Sequence, residues 1–261
     1  MYIGGVDKRA LHHLAAEIID NSMDEVVAGH ASKIEVRLND DNSLTISDNG
    51  RGIPVDPHPK FPDKSALEVI LCTLHAGGKF SDNNYKTSGG LHGVGISVVN
   101  ALSINMEVSV VRNGQTYAQT FSRGKPTSEL TAETASQKIT GTKVTFSPDP
   151  DIFKKNSYFD PNILRSLSQS KAFLFSGVEI TWICPKNVAK NNEILNKEAF
   201  FFPKGLNDYL KMELGNSNAF FSSAFADKVN FSEAKLTQSE GSCEWAINWT
   251  PEIDPFTHSF C

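Results

Sequence analysis

Leu11-His-His-Leu-Ala-Ala-Glu-Ile-Ile-Asp-Asn-Ser-Met-Asp-Glu-Val26 has two faces. Leu11, Leu14, Ala15, Ile18, Ile19 and Val26 recur at three- and four-residue steps, the spacing of one side of a helix. Residues 8–29 therefore read as a long helix, with Gly29 as its C-cap. At about 100° per residue, His13, Glu17, Asn21 and Asp24 fall within a stripe roughly 80° wide on the opposite side. A carboxylate and a carboxamide one turn apart thus project from a helix whose other face is buried. Glu17 is placed to accept a proton from water, and Asn21 to offer a neutral oxygen to a hard cation. Mg2+ takes only one or two protein ligands and completes its octahedron with phosphate oxygens and waters. By itself, such a stripe is also what a solvated helix face looks like.

The sequence on either side tells what this helix packs against. Lys33–Leu38 and Ser43–Ser47 alternate apolar and polar residues around an Asn-Asp-Asp-Asn turn, which predicts a hairpin. Glu107–Arg112 and Gln115–Phe121 flank Asn113-Gly114, a strong hairpin signal. Lys143–Phe146 and Val178–Ile183 read as further strands. Ser65–His75 and Ile96–Leu102 read as helices, and Asp160-Pro161 starts another that runs to Phe173. Hairpins interleaved with helices predict an α+β fold, a mixed and largely antiparallel sheet covered by helices on one face. Asn187–Lys197 is polar and reads as a linker. Beyond it, Gly205–Leu214 reads as a helix and Glu244–Trp249 as a strand, the start of a second domain.

With 261 residues, 39% hydrophobic and 21% charged, the chain has ordinary globular composition and ample length for a core. A net charge of −5 without a basic stripe argues against direct nucleic-acid binding by this chain as a whole. Cys72, Cys184, Cys243 and Cys261 form no C-x-x-C pair, which speaks against a zinc site and fits reduced thiols in the cytoplasm. No apolar stretch approaches the roughly 20 residues that span a bilayer, and the N-terminus has no signal-peptide character.

Two further segments carry candidate chemistry. Asp48-Asn-Gly-Arg-Gly-Ile-Pro54 follows a strand. Asp, Asn and Gly favour a tight turn, but a carboxylate held there can also accept from an exocyclic amine and reject a base that lacks one. Residues 76–95 hold six glycines, in Gly77-Gly-Lys-Phe80 and Ser88-Gly-Gly-Leu-His-Gly-Val-Gly95, and read as a mobile loop. Glycines let backbone N–H groups approach phosphates, and Lys79 adds a point charge. The spacing is neither that of a P-loop nor G-x-G-x-x-G.

Taken in order, Glu17-Ile-Ile-Asp-Asn21, Asp48-Asn-Gly-Arg-Gly52, the glycine segment 77–95 and Thr140-Gly-Thr142 resemble the Bergerat-fold ATPases. That group contains DNA gyrase, a class of heat-shock chaperones, the MutL repair proteins and the sensor histidine kinases. Asp20-Asn-Ser-Met-Asp-Glu25, Leu74-His-Ala-Gly-Gly-Lys-Phe80 and Ser88 through Leu102 are similar to the bacterial type II DNA topoisomerase B subunits in particular. His58-Pro-Lys-Phe-Pro62 and Gly205-Leu-Asn-Asp-Tyr-Leu210 resemble the B subunit of topoisomerase IV more than that of gyrase.

The resemblance implies a Bergerat-fold two-layer α/β sandwich over residues 1–195 and the beginning of a transducer domain over 196–261. It implies an ATP-hydrolysing enzyme that drives DNA strand passage, decatenating if of the topoisomerase IV kind and supercoiling if of the gyrase kind. Its cofactors would be ATP and Mg2+. Its partners would be a second copy of the B chain, two A chains in a heterotetramer, and DNA through that assembly, with no membrane.

Residue by residue, Glu17 matches the family's general base, with His13 placed by the helix geometry to orient it. Asn21 matches the Mg2+ ligand. Asp48 matches the carboxylate that accepts from the adenine amine, supported by Thr142, and Gly52 lies against the base. Glu25, Arg51 and Pro54 match the pocket rim, where Arg51 and Glu25 pair. Lys79 and the amides of Leu91, His92, Gly93, Val94 and Gly95 match the phosphate-binding lid, and Ile53 and Tyr85 are further residues expected to bind the nucleotide. In the family an N-terminal arm precedes the Met-Tyr-Ile-Gly stretch at which this sequence begins, and a transducer lysine completes the γ-phosphate site. Without them the chain is expected to bind ATP as a monomer and hydrolyse it slowly.

The chaperone and repair ATPases would share Glu17, Asn21 and Asp48 but not the 74–80 and 88–102 stretches in this form. A histidine kinase would need an upstream phosphoacceptor helix, and a dinucleotide oxidoreductase its glycine fingerprint. A nucleotide-sensing dimerisation module without turnover would have no use for Glu17.

Overall fold

The computed structural model describes residues 3–74, 95–135, 139–154, 158–231 and 241–260. In chain order the elements are α1 (Lys8–Val27), β1 (Lys33–Leu38), β2 (Leu44–Asp48), β3 (Pro57–His58), β4 (Phe61–Ser65), α2 (Ala66–Cys72), α3 (Gly95–Ala101), β5 (Ser103–Arg112), β6 (Gln115–Ser122), β7 (Lys125–Pro126) and β8 (Thr131–Thr134). They continue with β9 (Gly141–Pro148), α4 (Pro150–Phe153), α5 (Pro161–Leu174), β10 (Glu179–Ile183), α6 (Lys186–Asn191), β11 (Lys197–Phe201), α7 (Leu206–Leu214), β12 (Phe225–Phe231) and β13 (Gly241–Ile247).

Nine strands form one sheet in the order β11-β10-β1-β2-β9-β5-β6-β7, with β8 also on β6. Pairing is antiparallel among β1, β2, β9, β5 and β6, and parallel between β1 and β10. The mixed, largely antiparallel sheet expected from the hairpin signals is therefore what forms. At the β5–β6 turn, Asn113 and Gly114 adopt φ of 53° and 74°, the left-handed pair that a two-residue hairpin needs.

Strand alternation sends one set of side chains to a common face. Trp182, Val36, Ile46, Val144 and Val108 line up across five strands, and all are buried. Leu38, Leu44, Phe146, Met106 and Phe121 form a second buried row. α1 buries Leu11, Leu14, Ala15, Ile18, Ile19 and Met23, and it lies against β2, β9 and α3. Each large apolar side chain withdrawn from water contributes about 1.5–3 kcal/mol, so this contact fixes α1. Of the polar stripe expected on its other side, His13, Glu17 and Asn21 are half-buried, and Asp24 is buried rather than solvated.

Asp7 starts α1 by accepting from the Ala10 N–H at 2.8 Å. One turn in, His12 is buried: its Nδ1 lies 2.7 Å from the Lys8 carbonyl, and its Nε2 accepts from the Asp160 N–H at 2.8 Å. That bond ties α1 to the start of α5.

Three local expectations change. The helix expected over Ser65–His75 is shorter: Ser65 is its N-cap and Thr73 is already extended. The expected linker Asn187–Lys197 instead holds most of α6, and β11 begins at Lys197 beside β10. A six-residue helix without a capping side chain shows no periodicity to read, yet buried Ala189 and the Cys184 N–H bond to Asn196 hold it in place. β12 has no counterpart among the expected strands, and it pairs in register with β13 from Phe225↔Ile247 to Phe231↔Gly241. The loop expected within residues 76–95 lies, but for Gly95, outside the described residues.

The chain divides into two compact units, Met1–Lys171 with Val178–Phe200, and Ala172–Gly177 with Phe201–Cys261. The second is built on an aromatic cluster in which Phe173 stacks on Tyr209 at 4.0 Å between centroids, flanked by Phe202 and Phe260. No described helix is long and apolar enough to cross a membrane.

Candidate functional site

In β2, Leu44 and Ile46 point into the core, and Asp48 is the next residue of the same alternation. A carboxylate therefore occupies the third core-facing position of a strand. Asp48 stands opposite Ile34 of β1, so the row Ile180–Ile34 ends in a charge. Three donors meet it. Oδ1 accepts from the Gly50 N–H at 2.8 Å and from the Thr142 N–H at 3.4 Å, and Oδ2 accepts from the Ser22 hydroxyl at 3.0 Å. Burial pushes the Asp48 carboxyl above its ordinary value of 3.8, while those three donors pull it back. Ser22 lies on α1, one residue after Asn21, so the helix and the strand end share a bond.

The turn after Asp48 is braced from three elements. Glu25 of α1 takes a forked pair from Arg51, Nε at 3.0 Å and Nη2 at 2.7 Å, and also accepts the Arg51 N–H at 3.0 Å. The Ile53 N–H donates to the Thr142 hydroxyl of β9 at 3.3 Å. Arg112, the last residue of β5, donates Nη1 to the Gly52 carbonyl at 3.0 Å, while its Nε is buried with no partner. Pro54 is exposed at the outer edge. Gly141 allows this closeness: a Cβ there would lie 2.1 Å from the Asp48 carbonyl oxygen, at a φ of 154°. Any side chain would push β9 off the strand end.

Glu17 is half-buried on α1, one turn before Asn21, and His13 is one turn before Glu17. α3 begins directly against Glu17. A Cβ on Gly95 would stand 2.0 Å from Glu17 Oε2, so any side chain there would displace the Glu17 carboxylate. The Asn21 Nδ2 is buried and has no hydrogen-bond partner. An amide edge left unsatisfied in this way is costly, and turned by half a revolution it presents its oxygen instead. Among the described residues no group of three His, Cys, Asp or Glu side chains is arranged to hold a metal. Mg2+ needs no such cage where phosphates supply most of the ligands, so the donor set fits a phosphate-borne Mg2+.

The structure thus brings Glu17, Asn21, Glu25, Asp48, Arg51, Gly52, Ile53, Gly95 and Thr142 around the junction of α1, β2, β9 and α3. Lys79, Tyr85, Leu91, His92, Gly93 and Val94 lie outside the described residues. Ser22, which lies inside the Asp20–Glu25 motif, and Arg112, which lies in none, belong to the same junction, and neither is among the expected site residues. Such a junction can hold an amine-bearing ring against Asp48, and a polyanion beside the Glu17–Asn21 stripe.

Residues 6–152 match the family model described as "Histidine kinase-, DNA gyrase B-, and HSP90-like ATPase". The B subunit of DNA topoisomerase 4 from Rickettsia felis is 48% identical over 262 residues, covering 100% of this chain and 38% of that protein. The B subunit of DNA gyrase from Synechocystis is 46% identical over 210 residues, covering 80% of this chain and 19% of that one. The chain therefore spans less than half the length of these relatives. Among solved structures, the 43K ATPase domain of Thermus thermophilus gyrase B, crystallised with an aminocoumarin, is similar with a TM-score of 0.74 at 38% identity. That likeness covers 89% of this chain and 57% of that one, and it agrees with the sheet described above. The family match takes in α1, the Asp48 turn, Gly95 and Thr142, and it spans more than half of the sequence: the chain belongs to the histidine kinase-, DNA gyrase B- and HSP90-like ATPases.

Proposed function

We propose that this chain is the ATP-binding and ATP-hydrolysing part of a type II DNA topoisomerase B subunit, of the topoisomerase IV kind. The observation that carries the reading is the carboxylate on the core face of β2, held by Ser22, Gly50 and Thr142. A charge is maintained there at the expense of its own solvation. That is physically sensible where a ligand supplies the missing donor, and the 6-amine of adenine is such a donor. Thr142 assists, Gly52 lies under the base, and Ile53, Pro54 and the Glu25–Arg51 pair form the rim.

The triphosphate then runs along α1 toward Glu17. Phosphoryl transfer calls for placement and charge neutralisation more than covalent chemistry. Glu17 orients a water and takes its proton, and His13 orients Glu17. Asn21 would hold Mg2+, which when bound supplies charge neutralisation on the phosphates. Lys79, Tyr85 and the segment Leu91, His92, Gly93, Val94 and Gly95 would close on the phosphate oxygens through backbone N–H groups and the lysine charge. Residues 196–261 would begin a transducer domain. In the full enzyme, nucleotide-dependent pairing of two B subunits would gate a DNA duplex through a break made by the A subunits.

Glu17→Gln tests the assignment. The variant should bind a non-hydrolysable ATP analogue within about threefold of wild type and release no phosphate. Hydrolysis at the wild-type rate would remove Glu17 from the base role. The gyrase B subunit is the second reading, favoured by the fold likeness to the Thermus thermophilus domain. Supercoiling rather than decatenation by the full-length protein with its A partner would select it.

A further inference from the structure

Lys171, three residues before the end of α5, forms an ion pair with Asp20 of α1. The two side chains keep only 21% and 24% of their exposure, so the pair is largely withdrawn from water. Asp20 directly precedes Asn21 and lies one turn after Glu17. Along the helix axis that is about 4.5 Å from Glu17, and around it about 60°, on the side of His13 and Asp24. Glu17 and Asp20 therefore put two carboxylates on one side of one helix, where the proposed reading places a triphosphate, while Asp24 on the same side is buried. Glu25, the next acid, is already matched by Arg51.

Resting on that reading, we propose that Lys171 is a positioning residue of the nucleotide site. Acting through Asp20, it cancels a carboxylate one helix turn from Glu17 and holds it away from the cation and phosphates. Without Lys171, Asp20 is an uncompensated negative charge one helix turn from Glu17, and a polyanion reaching Glu17 then lies on the order of 10 Å from it. Partial screening at that distance corresponds to a three- to tenfold change in affinity, roughly. The charge of the reacting group changes little between bound ATP and the transition state, so the effect falls on KM and leaves kcat nearly unaltered.

The test is calorimetric titration of this chain with the magnesium complex of a non-hydrolysable ATP analogue. Lys171→Met should bind about three- to tenfold more weakly, and the deficit should shrink in 0.5 M salt. Asp20→Asn should bind as well as wild type or better, and Asp20→Asn/Lys171→Met should return to within about twofold of it. Lys171→Arg should match wild type, which covers the case in which Lys171→Met does not fold. A residue that only braced two helices would weaken binding in both single variants and again in the double, without salt dependence, and that pattern overturns the proposal. If wild type binds no ATP analogue at all, the ATP-site reading falls, and this inference falls with it.

Discussion

Asp48→Asn separates what the carboxylate does for the fold from what it does for a ligand. Asparagine can keep its oxygen on the Gly50 and Thr142 N–H groups, which lie at 2.8 and 3.4 Å from Oδ1. Its amide then faces Ser22, whose hydroxyl rotates from donor to acceptor. No packed atom is lost. Burial is the chief cause of the raised Asp48 pKa. A carboxyl whose folded pKa lies above its unfolded value holds its proton more tightly in the native state. Its ionised form therefore costs stability at neutral pH, and stability returns as pH falls through the raised pKa. Asparagine removes that cost, so the melting temperature should stay level or rise. The ligand meets the opposite change. Where an adenine amine would find a carboxylate oxygen, it finds an NH2, donor against donor. Loss of a hydrogen bond to a charged group is worth about 1.5–3 kcal/mol, and ATP should bind about 10- to 150-fold more weakly. Calorimetric titration with ATP and thermal melting of the same samples give both numbers. Binding within threefold of wild type, or a melting temperature lowered by more than about 5 °C, would show that Asp48 serves the fold and not the ligand.

Gly95→Ala should cut phosphate release at least tenfold in a coupled assay, because a Cβ 2.0 Å from Glu17 Oε2 forces that carboxylate out of place. A variant that turns over normally would disconnect Gly95 from Glu17. Burial lowers the pKa of His12 below its ordinary value of 6.5. The unfolded chain therefore takes up that proton first as the pH drops below 6.5, and stability falls with it by at most about 1.4 kcal/mol per pH unit. The urea midpoint should drop between pH 7.5 and 5.5 in wild type and drop less in His12→Gln; equal slopes would exclude His12 as the source.

Local signals carried much of this architecture. The apolar steps of α1 and the Asn113-Gly114 turn each work within a few residues, where sequence spacing is spatial spacing. So does the alternation Leu44, Ile46, Asp48, which in retrospect places the acid on the core side. The contacts that were not legible join distant parts of the chain. Ser22 meets Asp48 across 26 positions and Arg112 meets Gly52 across 60. A serine on a helix or an arginine ending a strand looks like any surface residue until its partner is known. The same holds for β10, which lies parallel to β1 with Lys33 opposite Glu179. Nothing in either strand announces that pairing, because both read simply as apolar alternation.

If Asp48 receives the adenine amine as proposed, those long-range contacts bear directly on selectivity. A lone acceptor discriminates between ligands only if it cannot swing toward another donor and only if its surroundings stay dry. The segment from Asp48 to Ile53 has no regular structure after its first residue, and a free loop there would let the carboxylate retreat. Instead Arg51 is forked onto α1, Ile53 is bonded to β9 and Gly52 is held by Arg112 of β5. Three elements far apart in sequence thus fix one irregular turn. The Asp-Asn-Gly-Arg-Gly string can be copied into any loop. The immobility of its carboxylate cannot, since it depends on Glu25, Thr142 and Arg112 arriving from elsewhere in the fold.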